Sequence, residues 1–195
     1  MGRKNKHSRE EIHELALQVA TQIVVQQGHQ GLSARKIASA MGYAVGSLYM
    51  IFQNLDDLIL QVNGRTLDEL YTIIAQTKRQ YPDPEHCLLA LGQAYFQFTL
   101  VHQQRWRMIF EHRLPKGTQL PGWYRKKILR FFNLLEKPLR QIRHHHSCMQ
   151  EARALWGSVH GICILADKLE VVGVDSVQHL LELMIRTYIA GLKKT

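Results

Sequence analysis

The residues from Tyr43 to Phe52 combine small side chains with hydrogen-bonding groups in a pattern that favours recognition of nucleic acid. Ala44, Gly46 and Ser47 are small enough to let the backbone approach a phosphate chain. The hydroxyl groups of Ser47 and Tyr49 can reach phosphate oxygens or base edges. The chemistry implied is hydrogen bonding to a polyanion, and not the making or breaking of covalent bonds.

Sequence motifs for catalysis and metal binding are missing. The chain contains no H-E-x-x-H, no G-x-S-x-G and no glycine loop that would hold a phosphate, so we do not expect an enzyme. Consecutive histidines on a helix point in different directions, so we expect no shared metal site at His144, His145 and His146 and no cofactor. The cysteines form no C-x-x-C pair and are interpreted as buried thiols in a reducing cytoplasm: Cys87, Cys148 and Cys163.

Three amphipathic segments, one long and two short, precede residue 54. Apolar residues recur at helical spacing from Arg9 to Gln27, with Ser8 as a candidate N-cap and Gly28 as a stop. A second helix is predicted after Ser33, ending at Gly42, and a third from about Ala44 to Phe52. Two short helices joined by a glycine turn and packed on a longer one form a helix-turn-helix, although a plain helical hairpin in an all-α core fits the same pattern.

The charge distribution gives mixed support for a polyanionic partner. The net charge is +9 and the pI is about 9.6, but the whole excess lies between residues 101 and 150. The first nine residues are also locally basic, through Arg3, Lys4, Lys6 and Arg9. They are predicted to be either an arm that lies along DNA or a solvated tail.

A family resemblance favours the helix-turn-helix over the plain helical hairpin. The chain reads Leu32-Ser-Ala-Arg-Lys-Ile-Ala38, then Met41-Gly-Tyr-Ala-Val-Gly-Ser-Leu-Tyr-Met-Ile-Phe52, then Asn54-Leu-Asp-Asp-Leu58. This run resembles the N-terminal signature of the TetR/AcrR family of transcriptional regulators. The resemblance implies that the residues facing DNA are Ser33, Arg35, Lys36, Tyr43, Ala44, Val45, Gly46, Ser47, Tyr49 and Met50. The sequence departs from the family at Ala44, Ile51 and Leu55, where the family usually has polar or charged residues.

The remaining chain is predicted to be helical, giving about nine helices in an all-α fold. One long helix should run from Asn54 to about Gln80, where Pro82 and Pro84 stop it. The resemblance implies a helix-turn-helix domain over residues 1–54 and a helical effector-binding and dimerisation domain over residues 55–195. No segment approaches the roughly 20 apolar residues that cross a bilayer, so we expect a cytoplasmic protein without a membrane partner.

Two sets of residues follow for the second domain. The resemblance implies that its last two helices pair with a second copy of the chain, although both helices could instead be intramolecular core. The candidate interface residues are Leu155, Leu180, Leu181, Met184, Ile185 and Tyr188. The segment from Ala154 to Gly161 resembles a Trp-His-Gly (WHG) type of C-terminal domain, for which packing is favoured over ligand contact. Candidate ligand residues, which can equally be core, are Tyr95, Phe98, His102, Trp106, Phe110, Trp156 and His160.

The sequence and the resemblance therefore predict a homodimeric transcriptional regulator. It is expected to be a repressor that binds a pseudo-palindromic operator in double-stranded DNA and is released from it by a small-molecule effector. A basic group could attract an anionic effector such as a fatty acyl thioester or form a solvated face: Arg105, Arg107, Arg113, Arg125, Lys126, Lys127 and Arg130. The alternative function is an effector-independent DNA-packaging protein, which would bind all sequences similarly.

Overall fold

In a computed structural model that describes residues 8–143, 147–168 and 173–194, the described residues form nine α-helices and no strand. The helices are α1 (Arg9–Gln27), α2 (Ala34–Met41), α3 (Val45–Tyr49), α4 (Leu55–Gln80), α5 (Pro84–Val101), α6 (Gln103–Glu111), α7 (Gly122–Arg143), α8 (Met149–Lys168) and α9 (Val174–Leu192). A single 3-10 turn, His29–Gly31, separates α1 from α2. The predicted all-α fold is confirmed.

The N-caps predicted for α1 and α2 are confirmed, and Asn54 caps the start of α4. The Ser8 hydroxyl accepts from the backbone N–H of Glu11, whose carboxylate accepts in return from the N–H of Ser8, so that the two residues form a capping box. Ser33 caps α2 and Asn54 caps α4 without a reciprocal bond: the side-chain oxygen of each accepts a hydrogen bond from the backbone N–H three residues later. These caps satisfy N–H groups that would otherwise lack partners.

Helix α3 is shorter than expected. The predicted helix from Ala44 to Phe52 is reduced to Val45–Tyr49, with Ala44 as an N-cap that provides no side-chain hydrogen bond. The chain then turns tightly, and the Phe52 N–H still donates to the Leu48 carbonyl over 2.8 Å. The prediction extended the helix too far because the apolar periodicity continues through this turn to Phe52, whereas the helical backbone does not.

The chain packs as two compact units. Unit 1 holds residues up to Thr66 and residues 102–124; unit 2 holds residues 67–101 and residues 125 onward. Helix α6 therefore packs with the first three helices: it contacts α1 and the 3-10 turn, and its Met108 belongs to their core. The functional division between residues 54 and 55 stays a prediction, because a packing unit and a functional domain need not have the same boundaries.

Each unit has its own apolar interior. In unit 1, the core side chains include Leu17, Ile37, Leu48, Phe52 and Met108, each no more than 2% exposed. In unit 2, α9 packs against α5 and α8, and Leu181 and Ile185 of α9 are fully covered. All three cysteines are buried, as expected. No helix in the described ranges is both long and apolar enough to cross a membrane.

The capping box gives a prediction for stability. Replacing Ser8 with Ala removes one cap bond and leaves the Glu11 N–H without its acceptor, so the free energy of unfolding should fall by about 1 kcal/mol. Chemical denaturation followed by circular dichroism measures this change. Ser39→Ala is the matched control, because Ser39 is exposed within α2 and should tolerate alanine without loss. Equal effects of the two substitutions would contradict the role of the cap.

Candidate nucleic-acid interface

Helix α3 has an inner and an outer side. Leu48 and Phe52 are each 2% exposed and lie in the core of unit 1. Tyr49 and Met50, in contrast, are 53% and 78% exposed. Tyr49 at the end of α3 and Met50 at its C-cap are therefore both accessible to a partner.

The other predicted contact residues divide into exposed and half-buried groups. Arg35, Lys36, Ala44 and Gly46 are exposed, and the side of α3 at Gly46 is open, since a Cβ placed there would meet no atom within 4 Å. Ser33 and Ser47 are half-buried. Tyr43 and Val45 are also half-buried and pack against the core, so each can present only part of its surface to DNA.

Two predicted contact residues make hydrogen bonds within the chain. The Ser33 hydroxyl caps α2, and the Lys36 ammonium donates to the Gln27 side-chain oxygen over 2.9 Å. Gly42, between α2 and α3, adopts a left-handed conformation with φ of 73°. Because this conformation is strained for a residue with a Cβ, the glycine is what allows α3 to follow α2 at once.

A hydrogen-bonded network from α1 and α4 supports α3. The ring of His13 stacks on Phe52 with 5.0 Å between centroids, and its Nε2 lies 2.7 Å from the Gln61 side-chain oxygen. Gln61 in turn donates to Asp57, whose second oxygen accepts from the Gln53 N–H. The network thereby holds the turn that follows α3 between two longer helices.

The outer end of α3 is also tied to the start of α1. The Arg9 guanidinium donates to the Met50 carbonyl over 3.2 Å. Arg9 is the first residue of α1, as the helical spacing predicted, and it was also counted among the basic residues of the arm; Arg3, Lys4 and Lys6 lie outside the described residues. Sequence reasoning missed this contact, because no local signal pairs residues 41 positions apart.

The predicted ligand residues fall into both units. In unit 2, Tyr95, Trp156 and His160 form a contact chain: the Tyr95 hydroxyl lies 2.8 Å from His160 Nδ1, and His160 stacks on Trp156 with 4.8 Å between centroids. Phe98 is buried in the same unit. In unit 1 are His102, Trp106 and Phe110, and Trp106 packs edge-on to Phe110.

Tyr95 and Trp156 line an apolar cavity inside unit 2. The cavity is narrow, with a volume of about 20 Å³, and helices α4, α5, α7, α8 and α9 all contribute to its wall. Its other lining side chains are almost all aliphatic or aromatic, among them Ile74, Leu88, Leu135 and Val159. Such a lining accepts an apolar group far more readily than a charged one.

The predicted dimer residues are only in part on the surface. Leu155, Leu181 and Ile185 are at most 3% exposed and belong to the interior of unit 2, so they pack within the chain. Leu180 is 44% exposed, whereas Met184 and Tyr188 are half-buried; the Tyr188 hydroxyl donates to the Glu151 carbonyl. An exposed leucine that sequence reasoning omitted, Leu183, lies on the same helix and is 55% exposed.

The basic segment is partly neutralised within the chain. The Lys127 ammonium lies 2.6 Å from the Asp68 carboxylate, which Arg130 also contacts. The Arg130 guanidinium lies over the ring of Tyr71 at 4.3 Å from its centroid. The histidines His144, His145 and His146 lie outside the described residues.

The architecture defines a class of protein: an all-helical chain that begins with a helix-turn-helix and continues into a helical unit with an internal cavity. Residues 88–188, more than half of the chain, match the family model described as the Tetracyclin repressor-like, C-terminal domain. The chain belongs to this family. The matched range includes α5 to α8 almost entirely and most of α9.

Comparisons with individual proteins agree with this assignment. The chain is 30% identical over 110 residues to the HTH-type transcriptional activator FasR of Mycolicibacterium smegmatis, and the match covers 56% of this chain. The match spans only half the length of that relative.

Solved structures share the fold. A protein of unknown function from a Rhodococcus species has a TM-score of 0.76 at 16% identity, covering 98% of both chains. The transcriptional regulator FadR from Bacillus subtilis, solved in complex with stearoyl-CoA, has a TM-score of 0.70 at 12% identity. That match covers 92% of this chain and 98% of FadR.

The half-buried His160 in unit 2 predicts a pH dependence. Burial lowers the pKa of His160 below the usual 6.5, so the folded protein keeps the ring neutral at pH values where the unfolded chain binds a proton. The free energy of unfolding should therefore fall as the pH drops through about 6.5. Denaturation at about pH 8 and about pH 5 measures this loss.

A substitution separates His160 from other titrating groups. In His160→Gln the loss of stability between these pH values should be smaller than in the natural chain, because no proton is taken up at this position on unfolding. His179→Gln, which changes an exposed histidine on α9, is the control and should keep the full loss. The same pH dependence in both variants would contradict a neutral His160 ring in the folded protein.

Proposed function

We propose that this chain is a sequence-specific DNA-binding transcriptional regulator that acts as a homodimer and responds to a small-molecule effector. The observation that carries the proposal is the outward side of α3, where Tyr49 and Met50 are exposed while Leu48 and Phe52 anchor the helix in the core. A short helix presented in this way fits the major groove, which is wide enough to admit an α-helix. The repressor-like family and the FasR relative support regulation over catalysis.

In this proposal the groups nearest to DNA are the exposed members of the predicted set. Tyr49 provides a hydroxyl and an aromatic face, Arg35 and Lys36 provide cations at the start of α2, and Gly46 allows close approach of the backbone. Ser47, Tyr43 and Val45 contribute from half-buried positions. The N-terminal arm adds charge next to Arg9, which is held at the end of α3.

The effector is proposed to bind in unit 2. The wall lined by Tyr95 and Trp156 is apolar, as binding of a hydrocarbon group requires, although the cavity would have to widen to admit one. FadR of Bacillus subtilis, which shares the fold, was solved with stearoyl-CoA. We propose a fatty acyl compound as the effector class. Such a ligand alters DNA binding only by binding one conformation of the protein more tightly than another. Trp156, His160 and Gly161 are proposed to be the Trp-His-Gly element, of which Trp156 lines the cavity and His160 packs on Trp156.

The homodimer is proposed to form through the exposed sides of α8 and α9. Helix α8 exposes the small residues Ala154, Gly157 and Ser158, which permit close approach of another helix, and α9 exposes Leu180 and Leu183. Two copies paired in this way would present two α3 helices to a pseudo-palindromic site, and each half-site binds too weakly alone. We place this function in the cytoplasm.

Selection of bound fragments from a random duplex pool tests the proposed function. A regulator should enrich one pseudo-palindrome and bind it about a thousandfold or more tighter than unrelated DNA. A DNA-packaging protein should enrich no sequence and should lose affinity steeply with salt on every duplex. Absence of binding to every duplex at low ionic strength would overturn both functions.

Tyr49 gives the sharpest test of the proposed interface. Tyr49→Ala removes a 53% exposed side chain, so it should weaken binding to the selected duplex at least about tenfold without lowering the melting temperature. Tyr49→Phe separates the hydroxyl from the ring. The control is Val25→Ala, which trims an exposed apolar side chain on α1. Gel-shift titrations in which Tyr49→Ala binds as tightly as the control would exclude this orientation of α3.

A second substitution tests the dimer. Leu183→Glu places a charge on the proposed interface, where burial without a partner is costly, so dimerisation should weaken at least about tenfold. Leu129→Glu is the matched control, because Leu129 is an exposed leucine of unit 2 on α7. Analytical ultracentrifugation reports the mass of each variant. A Leu183→Glu protein that remains dimeric at the same concentration as the control would show that the interface lies elsewhere.

A further inference from the structure

The outward side of α3 exposes mainly apolar groups. In the sequence, residues 44–50 contain no arginine, lysine, asparagine, glutamine, aspartate or glutamate. The side chains that α3 and its C-cap expose most are the ring and hydroxyl of Tyr49 and the thioether chain of Met50, which is 78% exposed. The other exposed residues here are small, Ala44 and Gly46. Hydroxyl groups are therefore the polar side-chain groups that this helix can offer to DNA.

The cations of the proposed interface lie on other helices. Arg35 and Lys36 are exposed in the first turn of α2, where Lys36 also bonds to Gln27. Arg9 of α1 donates to the Met50 backbone carbonyl, so it holds the backbone at the end of α3 and leaves the Met50 side chain uncovered. Contacts of cations with phosphates position a protein on DNA but do not read its sequence. Reading of bases is therefore left to the groups of α3.

The four bases differ in what they present in the major groove. Guanine is read by Arg or Lys, adenine by the amide of Asn or Gln, and cytosine by a carboxylate, whereas hydroxyl groups bond to several bases. Thymine presents a methyl group, which is read by apolar contact. Because α3 has an exposed apolar chain and none of the charged or amide groups, thymine is the base that it is equipped to distinguish. The nearest amide side chain, that of Gln53, follows α3 in the turn.

We propose that Met50 is a specificity-determining residue that contacts the C5 methyl group of a thymine in each half-site of the operator, with the Tyr49 ring beside it. The inference rests on the proposed function as a DNA-binding regulator and specifies what its DNA contains: a T·A pair below the outer end of α3. The unbranched thioether chain is adaptable and polarizable, which suits contact with a methyl group. Burial of one methyl group raises affinity about fourfold, so two half-sites give about tenfold or more.

Replacement of thymine by uracil tests the inference, because uracil lacks the C5 methyl group and keeps the same base-pairing edge. The full chain is titrated by gel shift with the duplex enriched from the random pool. It is then titrated with copies of this duplex in which each thymine in turn is replaced by uracil in both half-sites. One of these replacements should weaken binding about tenfold or more.

Variants of the chain identify the side chain that contacts the methyl group. Met50→Ala should bind the thymine duplex more weakly and should bind the sensitive uracil duplex equally well, because the methyl group has lost its partner. Met50→Leu, which stays apolar, should retain most of the preference for thymine. The controls are Gln53→Ala in the adjacent turn and Arg35→Ala on α2, both at exposed positions. Each control should keep the natural ratio of thymine to uracil affinity, even where its overall affinity falls.

Three results would overturn the inference: a selected half-site without thymine, a selected duplex on which no uracil replacement weakens binding, or a Met50→Ala protein with the natural ratio of thymine to uracil affinity. In each case a specific sequence has still been selected, so the proposed regulator stands. A pool from which no sequence is enriched would instead reject the sequence-specific regulator, and the reading of thymine with it.

Discussion

The burial of Leu48 and Phe52 is the interaction on which the presentation of α3 depends. A five-residue helix is far below the length at which helices are stable by themselves, so α3 exists because these two side chains are inserted into the core of unit 1. The same insertion forces Tyr49 and Met50 outward. The exposed surface is thus a direct result of core packing, and a change that loosens the core would also misplace the candidate DNA contacts.

The polar network around α3 restricts the orientation of the anchored helix. His13 contacts both Phe52 and Gln61, and Asp57 joins Gln61 to the turn after α3. Most of these groups are neutral or partly exposed, so each hydrogen bond contributes modestly to stability. Their combined effect is on orientation: α3 is held from α1 on one side and from α4 on the other, which limits the ways in which its outer face can tilt.

Unit 2 has a different distribution of polarity. Its cavity wall is aromatic and aliphatic, with the Tyr95–His160 hydrogen bond as a polar contact, whereas a separate cleft between the α4–α5 corner and α7 is lined by two cations, Lys78 and Lys137. Lys127 and Arg130 of the segment 101–150 do not create this contrast, since both are paired with Asp68. Lys78, on the less basic α4, meets Lys137 only through folding. Local charge, and not net charge, is what distinguishes the cleft.

The sequence by itself determined the helices, because capping residues, glycine stops and apolar periodicity act over a few neighbouring positions: Ser8, Ser33 and Asn54 begin helices where expected. Periodicity also identified which faces are apolar, but it cannot name the partner of a face. Tertiary structure decided that Leu155, Leu181 and Ile185 pack within the chain, that α6 joins unit 1, and that Lys78 lies beside Lys137. These are contacts between residues far apart in sequence, and they depend on how helices pack in three dimensions, for which one-dimensional spacing has no signal.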